Sequence, residues 1–214
     1  MLFFRSVTPR RSQADRKAQT RKALLDATIQ SLVEVGYAKT TTTEITARAG
    51  VSQGALFKHF PTKEALLSVA AADLCASLFP KFRKAMRSHS KGKDPIERAI
   101  RGLWSVFKTD EVRVLHELYA AAPTEPGLRE ALVPVLATHR EKIQAEGKLL
   151  MPELASMPNF DAAVDFVVTA MQGAAIVLFA GYEKGREQAL LDGLVLLVRA
   201  APLLLDVANS TRDP

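Results

Sequence analysis

Apolar residues recur along most of this chain at the spacing of α-helices. Leu25, Ile29 and Leu32 lie at i, i+4 and i+7, the spacing of a first helix that Gly36 would end. Pro80 lies inside a later helical pattern and is expected to kink or break it. The predicted helices cover about 14–35, 61 onward, 94–107, 111–121, 128–150, 160–182 and 186–208, with loops at 88–93 and 151–159.

Residues 41–60 predict two short helices joined by a tight turn. Thr41 and Glu44 have the spacing of a capping box, in which Thr41 accepts from the amide three residues on and Glu44 reaches back. Gly50 stands where a helix ends in a left-handed residue, and Ser52 is a good N-cap for the next helix. The inward-facing pairs are Ile45 with Ala49 and Leu56 with Phe60. This pattern is typical of a helix-turn-helix, whose second helix enters the DNA major groove, although an ordinary helical hairpin fits it too.

The segment from Ile45 to Leu66 reads I-x-x-x-A-G-V-S-x-G-x-L-F-x-H-F-x-x-K-E-x-L and resembles the DNA-binding signature of TetR-family transcriptional regulators. The preceding L-L-D-A-T-I-Q-S-L-V-E-V-G-Y is similar to the family's first helix. The resemblance implies an all-α fold of about nine helices, with an N-terminal three-helix DNA-binding domain and a C-terminal helical domain for ligand binding and dimerisation. The expected boundaries are a flexible basic arm over 1–13, a DNA-binding domain over 14–75 with its helix-turn-helix at about 41–60, an effector and dimerisation domain over 76–208, and a tail over 209–214.

The resemblance also implies which residues of the second short helix face bases of double-stranded DNA. They are Gln53, Gly54, Ala55 and Lys58. Gln53 can pair bidentately with adenine, Lys58 can donate to guanine, and Ala55 can contact a thymine methyl group. Gly54 permits a close approach to the backbone. A plain phosphate contact is an equal alternative for Lys58.

Phosphate contacts are expected beside these base contacts, with helix N-termini helping. The residues implied are Thr42, Thr43, His59 and Lys63, although His59 could instead be a packed interior histidine. Phe57 belongs to the same DNA-binding set but stands where the family usually has tyrosine, so a hydroxyl that often touches phosphate is absent. We therefore expect weaker anchoring to the DNA backbone or a compensating contact elsewhere.

The distribution of charge supports this interpretation. The net charge is +6, and residues 1–63 hold 11 Lys and Arg against four Asp and Glu, a net +7. The remaining 18 basic and 19 acidic residues give −1. The positive excess therefore accompanies the helix-turn-helix, as a phosphate-binding surface requires.

The last two predicted helices carry apolar residues most of the way round. On the first, one stripe comprises Phe160, Val164, Val167, Met171, Ala174 and Leu178, and another comprises Phe166, Ala170, Gly173, Val177 and Ala180. A helix with two apolar faces must be buried on two sides. Both helices could lie at the centre of one monomeric core. The family dimerises through the equivalent helices, so the resemblance implies a homodimer that binds a palindromic operator.

The C-terminal domain is expected to hold a pocket for a largely apolar small-molecule effector, because the family couples ligand binding to the spacing of its recognition helices. Such pockets are mostly apolar with a few polar anchors. The candidates are Trp104, Phe107, His116, Tyr119, Phe166 and Met171, although ordinary core packing explains the same residues. An effector that prefers the state with mismatched recognition helices would release a repressor from DNA.

The rest of the sequence argues against an enzyme. It contains no nucleophile elbow, metalloprotease helix, Gly-rich phosphate loop or Cys/His cluster, so no catalytic residue, metal or cofactor is expected. The single cysteine, Cys75, suits a reducing cytoplasm. The apolar stretch 162–181 is interrupted by Asp165 and Gln172, which favours a buried helix of a soluble protein over a membrane span. A helical partner-binding protein that has lost specific DNA binding is the alternative.

Overall fold

The computed structural model describes residues 12–88, 94–156, 159–181 and 185–210, with side chains described up to 200. Within these ranges the chain forms ten α-helices and one 3-10 turn, without a strand, so the predicted all-α fold is confirmed. The helices are α1 (Gln13–Val35), α2 (Thr42–Ala49), α3 (Gln53–His59), α4 (Lys63–Ser88), α5 (Pro95–Phe107), α6 (Asp110–Ala121), α7 (Pro126–Leu150), α8 (Pro152–Ala155), α9 (Phe160–Phe179) and α10 (Arg186–Ser210). Residues 1–11 of the expected arm, 89–93 of the expected loop and 211–214 of the expected tail lie outside the described residues.

The chain divides into two compact units between Ala70 and Ala71. α4 belongs to both units, because it begins at Lys63 and ends at Ser88. The helix continues through Pro80. The sequence predicted a kink or a break at this proline, and the structure shows no break. A proline inside a helix removes one backbone hydrogen bond, and the helix continues on both sides of it.

The core of the first unit is built from the inner faces of α1, α2, α3 and the start of α4. Its buried members are Leu24, Leu25, Ala27, Ile45, Leu56, Phe60, Leu66 and Ala70, which confirms the predicted inward faces of the two short helices. Thr46 is also buried. Its hydroxyl donates to the carbonyl oxygens of Thr42 and Thr43, at 2.9 and 3.1 Å. The hydroxyl is therefore satisfied within its own helix.

Two helix starts differ from the sequence-based expectation. Ser12 caps α1 in a reciprocal capping box with Asp15, so Ser12 and Gln13, which the expected arm included, are the cap and the first residue of this helix. The capping box expected at Thr41 is only half formed. Thr41 Oγ1 accepts from the Glu44 amide at 3.1 Å, but the Glu44 carboxylate pairs with an arginine one turn later instead of reaching back.

In the second unit, α9 packs against α5, α6 and α7, and α10 packs against α5. The buried core residues are Ile100, Trp104, Val106, Phe107, Val112, Met171, Ala175, Leu191, Leu194 and Val195. The loop expected over 151–159 was partly wrong, because it contains α8. Pro152 is the first residue of that helix, where a proline loses no hydrogen bond. The helix expected to end near 182 ends at Phe179.

Candidate nucleic-acid interface and ligand cavity

The turn between α2 and α3 fixes the direction of α3. Gly50 has φ 66° and ψ 33°, the left-handed conformation that glycine adopts without a Cβ penalty. The Val51 amide then donates to the Thr46 carbonyl oxygen at 3.1 Å, which closes the end of α2. Ser52 caps α3, because its Oγ accepts from the Ala55 amide at 3.2 Å. The predicted conformation of Gly50 and the predicted cap at Ser52 are both confirmed.

α3 presents an outward face opposite its buried residues. Of the four residues expected to face bases, Gln53, Gly54 and Lys58 are exposed and Ala55 is half-buried. Phe57 lies on the same outward face with 46% of its surface exposed. A large aromatic side chain that is this exposed contributes little to the core and remains available for contact.

Gln53 is held in place by a residue of α2. Its Nε2 donates to Thr43 Oγ1 at 2.9 Å, which joins an expected base-reading residue to an expected phosphate-binding residue. Nε2 carries a second proton, and Oε1 accepts no hydrogen bond within the described residues. The amide that Thr43 orients therefore keeps the donor and the acceptor that bidentate pairing with adenine uses. Thr42, one residue earlier on α2, is half-buried.

Cations surround the C-terminal end of α3. Burial lowers the pKa of His59, and the charges of Lys17, Lys58 and Arg21 lower it further. His59 Nδ1 is buried with no hydrogen-bond partner among the described residues, which leaves Nε2 as the nitrogen that can meet a phosphate. Three cations from two helices thus converge near one histidine, and such a concentration of positive charge attracts phosphate.

Lys17 and Arg21 were counted in the basic excess but were not assigned to the site from sequence. Their i, i+4 spacing puts them on one side of α1, and that spacing is the signal that could have found them. Arg21 Cζ lies 5.0 Å from the centroid of the Phe60 ring. Lys63 Nζ lies 4.9 Å from the centroid of the Tyr37 ring, a cation–π contact that positions the ammonium group at the start of α4.

Part of the basic excess is not available to phosphate. Arg48 pairs with Glu44 at 2.6 Å and with Glu34 at 2.5 Å, which links α2 to α1. The hydrogen bond from Arg48 lowers the pKa of the Glu34 carboxyl. Lys22 likewise pairs with Asp26 at 2.5 Å. The count of 11 Lys and Arg in the first 63 residues therefore overstates the number of cations that a DNA backbone would meet.

The second unit contains a partly open cavity of about 760 Å³, lined by side chains from α4 through α10. Its lining is mostly aliphatic and aromatic, and its size falls in the range of roughly 300–1,000 Å³ that is common for small-molecule sites. Four of the expected pocket residues line it: Phe107, His116, Tyr119 and Phe166. Trp104 and Met171 lie instead in the hydrophobic core. The Trp104 indole donates to Glu187 Oε1 at 2.7 Å, so its polar group is satisfied outside the cavity.

The cavity has few polar groups. Glu146 is the single carboxylate among the lining residues that the structure describes, and Arg83 Nη2 donates to its Oε2 at 2.8 Å. Burial lowers the pKa of His116, and burial together with Lys142 lowers that of His139 to about 4. Both histidines are therefore neutral near pH 7. His139 was not among the pocket residues expected from sequence, because no residue near it in the sequence indicates such a role.

Aromatic and sulfur groups surround these histidines. The His139 ring lies edge-on to Phe79 with 5.5 Å between ring centroids, and the His116 ring lies 6.3 Å from that of Tyr119. Tyr119 and Cys75 are hydrogen-bonded, and burial raises the pKa of Tyr119 and raises that of Cys75 to about 11. The Cys75 thiol is therefore protonated and behaves as a buried structural group.

α9 and α10 carry apolar residues that nothing in the described chain covers. Exposed residues recur in steps of four and three along α9 and at its C-cap, namely Ala162, Phe166, Thr169, Gly173, Ile176 and Ala180, and Val177 and Phe179 of α9 are exposed as well. Phe166 and Ile176 are 54% and 57% exposed, and Leu196 of α10 is 64% exposed. A Cβ placed on Gly173 would meet no atom within 4 Å. Steps of four and three form the seam along which two helices pack. The alternative that both helices lie at the centre of one monomeric core is not found, because these residues are exposed.

Length and composition alone would let α4 and α9 span a membrane, a test that the core helices of soluble proteins also pass. α9 is tied by its charged groups to α7, because Asp161 pairs with Lys148 at 2.7 Å and Asp165 pairs with Arg140. Among the residues that the structure describes, no cluster of three His, Cys, Asp or Glu side chains could hold a metal ion.

The first unit matches a known protein family. Residues 24–70 fit the family described as bacterial regulatory proteins, tetR family. Over 169 residues the chain is 34% identical to an uncharacterized HTH-type transcriptional regulator of Mycobacterium tuberculosis, a match that covers 78% of this chain and 86% of that regulator. It is 33% identical over 218 residues to the HTH-type transcriptional repressor BepR of Brucella suis, with 96% and 97% of the two chains covered.

Solved structures extend the similarity to the fold of both units. The crystal structure of the multidrug binding protein EbrR in complex with imidazole aligns with a TM-score of 0.66 at 25% sequence identity, over 89% of this chain and 97% of that chain. A structure of the same protein with proflavin aligns with a TM-score of 0.63. The similarity in residues 45–66 is therefore part of one that covers most of the chain.

Proposed function

Since this chain belongs to the tetR family of bacterial regulatory proteins and is a transcriptional regulator, we propose that it represses transcription as a homodimer on a palindromic operator and is released by a small-molecule effector. The observation that carries the proposal is the outward face of α3, where exposed Gln53, Gly54 and Lys58 lie beside a cluster of cations. Similarity to the repressor BepR supports repression over activation.

Within this function, residues 14–75 form the DNA-binding domain and 76–208 the effector and dimerisation domain. Gln53, Ala55 and Lys58 contact bases, and Gly54 permits the close approach. Thr42, Thr43, His59 and Lys63 contact phosphates, joined by Lys17 and Arg21, which compensate for the tyrosine hydroxyl that Phe57 lacks. Phe57 itself makes an apolar contact to the DNA.

A mobility-shift assay with the DNA that flanks the protein's own gene tests the proposal. We expect a specific complex at moderate salt that survives an excess of unrelated DNA, because base contacts add to the phosphate contacts that all sequences share. An unrelated duplex of equal length is the control. Equal affinity for both duplexes, with folded protein, would contradict specific DNA binding and favour the alternative of a helical partner-binding protein.

A second copy of the chain is the proposed occupant of the exposed seam on α9. The α9 seam and exposed Leu196 of α10 offer an apolar surface of the kind that two helix pairs bury in a four-helix bundle. Dimerisation through this surface would hold two α3 helices at a fixed separation, and a symmetric pair of readers calls for a palindromic DNA site.

The cavity of the second unit is the proposed effector site. Phe107, His116, Tyr119 and Phe166 line it, and its apolar character suits a largely apolar small molecule. EbrR, which the fold resembles, is a multidrug binding protein. α4 carries the signal, because its C-terminal half contributes Leu78 and Phe82 to the cavity wall while its start belongs to the DNA-binding unit.

The protein acts in the cytoplasm and is not an enzyme. The relatives that it matches are transcriptional regulators. Two neutral histidines line the cavity, and the Cys75 thiol beside Tyr119 has a pKa of about 11, so these groups include no activated nucleophile paired with a base. A hydrolysis screen of the purified protein tests this, and turnover of any substrate would contradict it.

A further inference from the structure

Hydrogen bonding in the cavity is incomplete at two histidines. Six buried side-chain polar atoms of the described chain have no partner, and three of them are Nδ1 and Nε2 of His116 and Nδ1 of His139. Both residues line the cavity. Because a buried polar group without a partner is destabilising, such a group in a folded protein commonly marks a place where a water, ion or ligand binds. Half of the unsatisfied atoms therefore point to one ligand site.

The two histidines lie near the same turn of α4. Cys75 and Phe79 are four residues apart on that helix; Cys75 is hydrogen-bonded to Tyr119, and Phe79 packs against His139. His116 precedes Tyr119 by one turn of α6, and its ring is tilted by 55° to that of Tyr119 with 6.3 Å between the centroids. The unsatisfied nitrogens therefore belong to side chains of one mostly apolar cavity, and both histidines are linked to the 75–79 segment of α4 through their neighbours.

The charges around this end favour an anion. No described carboxylate acts on either histidine: His116 responds to burial alone, and Lys142 is the charged group that acts on His139. Tyr119 and Cys75 are the other titratable groups nearby, and both stay neutral because burial raises their pKa values. Glu146, farther along α7, is already neutralised by Arg83. A cationic ligand would find no free carboxylate here.

We propose that the effector is a largely apolar aromatic molecule that carries one acidic group, and that His116 and His139 bind this group. The proposal rests on the function proposed above and names the chemical class that the same site accepts. Aromatic side chains along the cavity, among them Phe79, Phe107 and Phe160, pack the ring system, while the imidazole N–H groups donate to the carboxylate. His116 is the principal anchor, because both of its nitrogens lack partners.

Binding of a carboxylate would change the proton balance. An anion beside an imidazole stabilises the imidazolium form, so a bound acid raises the pKa of the histidine. The histidine then takes up a proton when the acid binds. Affinity for an acidic ligand should therefore rise as the pH falls from 8 towards 6, while the ligand carboxyl stays ionised. Affinity for a neutral ligand of the same shape should not follow the pH.

Three fluorescent probes of nearly equal shape test the proposal: 9-anthracenecarboxylate, 9-anthracenemethanol and 9-anthracenemethylammonium. Titration of the full-length protein at pH 6.5 and 8.0 gives a dissociation constant for each. We expect the carboxylate to bind more tightly than the alcohol at pH 6.5, by about tenfold if the bound acid raises the pKa of one histidine to one unit above that pH. The advantage should shrink at pH 8.0, and the ammonium probe should bind most weakly.

Variants distinguish the contribution of the two histidines to ligand preference from that of the Glu146 carboxylate. His116→Gln retains hydrogen bonding but cannot become charged, so the preference for the carboxylate probe should fall several-fold and lose its pH dependence while the alcohol still binds. His116→Gln with His139→Gln should abolish the preference. Glu146→Gln should leave the preference intact. Circular dichroism of each variant confirms that it is folded.

Tightest binding of the ammonium probe, with loss of its binding in Glu146→Gln, would overturn the proposal in favour of a cation site. Equal affinity for the three probes would also overturn it, because the cavity would then select shape alone, and absence of binding by all three would exclude aromatic acids. Operator binding measured on the same protein separates the two hypotheses. Specific DNA binding without a preference for the acid refutes this inference only, whereas a preference for the acid without DNA binding refutes the proposed function.

Discussion

Gly50 and Gly54 lie four residues apart but serve different purposes. Gly50→Ala should lower the free energy of unfolding by about 1–2 kcal/mol, the cost of a left-handed conformation in a residue with a Cβ. The cost is purely conformational, because that Cβ would meet no atom within 4 Å. Gly54→Ala, the matched control, lies inside α3 and its Cβ would lie 3.9 Å from Ser52 Oγ.

The control should raise stability by up to about 1 kcal/mol, because alanine favours a helix interior over glycine. It should nevertheless weaken operator binding if Gly54 permits a close approach to DNA. Urea denaturation followed by circular dichroism measures the stability, and a mobility shift measures the binding. Equal stability changes in the two variants would contradict the assignment of Gly50 as the left-handed helix end.

Lys58 and Lys63 should each contribute to the salt dependence of DNA binding. Replacing either with glutamine should reduce the slope of log affinity against log salt by roughly 0.9, the effect of one lost phosphate contact. Lys22→Gln is the control, since Lys22 is paired with Asp26. If Lys58 contacts a guanine instead, its variant should relax the sequence preference at one base pair. Unchanged slopes in both variants would favour the partner-binding alternative.

His139 should make the protein sensitive to acid. Its pKa in the folded chain is about 4, below the ordinary histidine value, so the unfolded chain binds its proton first as the pH falls. This contribution to stability is fully present above about pH 6.5 and is lost as the pH falls towards 4. His139→Phe should flatten the dependence of the unfolding free energy on pH in that window, by on the order of 1–3 kcal/mol. Parallel curves for the variant and the wild type would contradict the burial of His139.

At the scale of elements, the seam on α9 can be tested without disturbing the fold. Gly173→Leu should fit the single chain, because a Cβ there meets no atom within 4 Å, but it should block the close approach of a second α9. Sedimentation velocity should then show dimer for the wild type and a shift to monomer for the variant. Ala137→Leu, at an exposed position of α7, is the control and should leave the dimer intact. A wild-type protein that sediments as a monomer would remove the proposed interface.

The short helices around the turn could be predicted because their signals are local. Gly50, Ser52 and the apolar pairs four residues apart each act over a few residues, and the structure uses them as expected. Glu44 departs from its expected role because Arg48, one turn later and already paired with Glu34, offers it a charged partner. α8 was missed because Pro152 was interpreted as a loop signal, although proline is equally suited to the first position of a helix.

The division between core and cavity could not be predicted from sequence. Trp104 and Phe107 lie three residues apart on one apolar face of α5, yet Trp104 belongs only to the core while Phe107 also lines the cavity. Helical spacing predicts which face of a helix points inward. It does not predict whether side chains of other helices fill the space next to that face. The partner of the Trp104 indole, Glu187, is 83 residues away, and no local pattern reveals such a contact.

At the scale of the whole molecule, the two units carry different surfaces. The first unit carries the outward face of α3 beside a cluster of cations, and the second carries a mostly apolar cavity and an uncovered helix seam. In the proposed function, the first unit binds DNA, and the second unit binds a small molecule and a second copy of the chain. Because α4 belongs to both units, a ligand that shifts its C-terminal half has a covalent route to the DNA-binding unit.

Selection of bound sequences from a random pool of duplex DNA by the full-length protein tests most directly whether the chain is a paired reader of DNA. We expect enrichment of an inverted repeat whose half-sites are centred about one helical turn apart, roughly 34–36 Å. Enrichment of a single half-site bound by one chain would contradict the dimer, and a pool that shows no enrichment at all would contradict sequence-specific DNA binding.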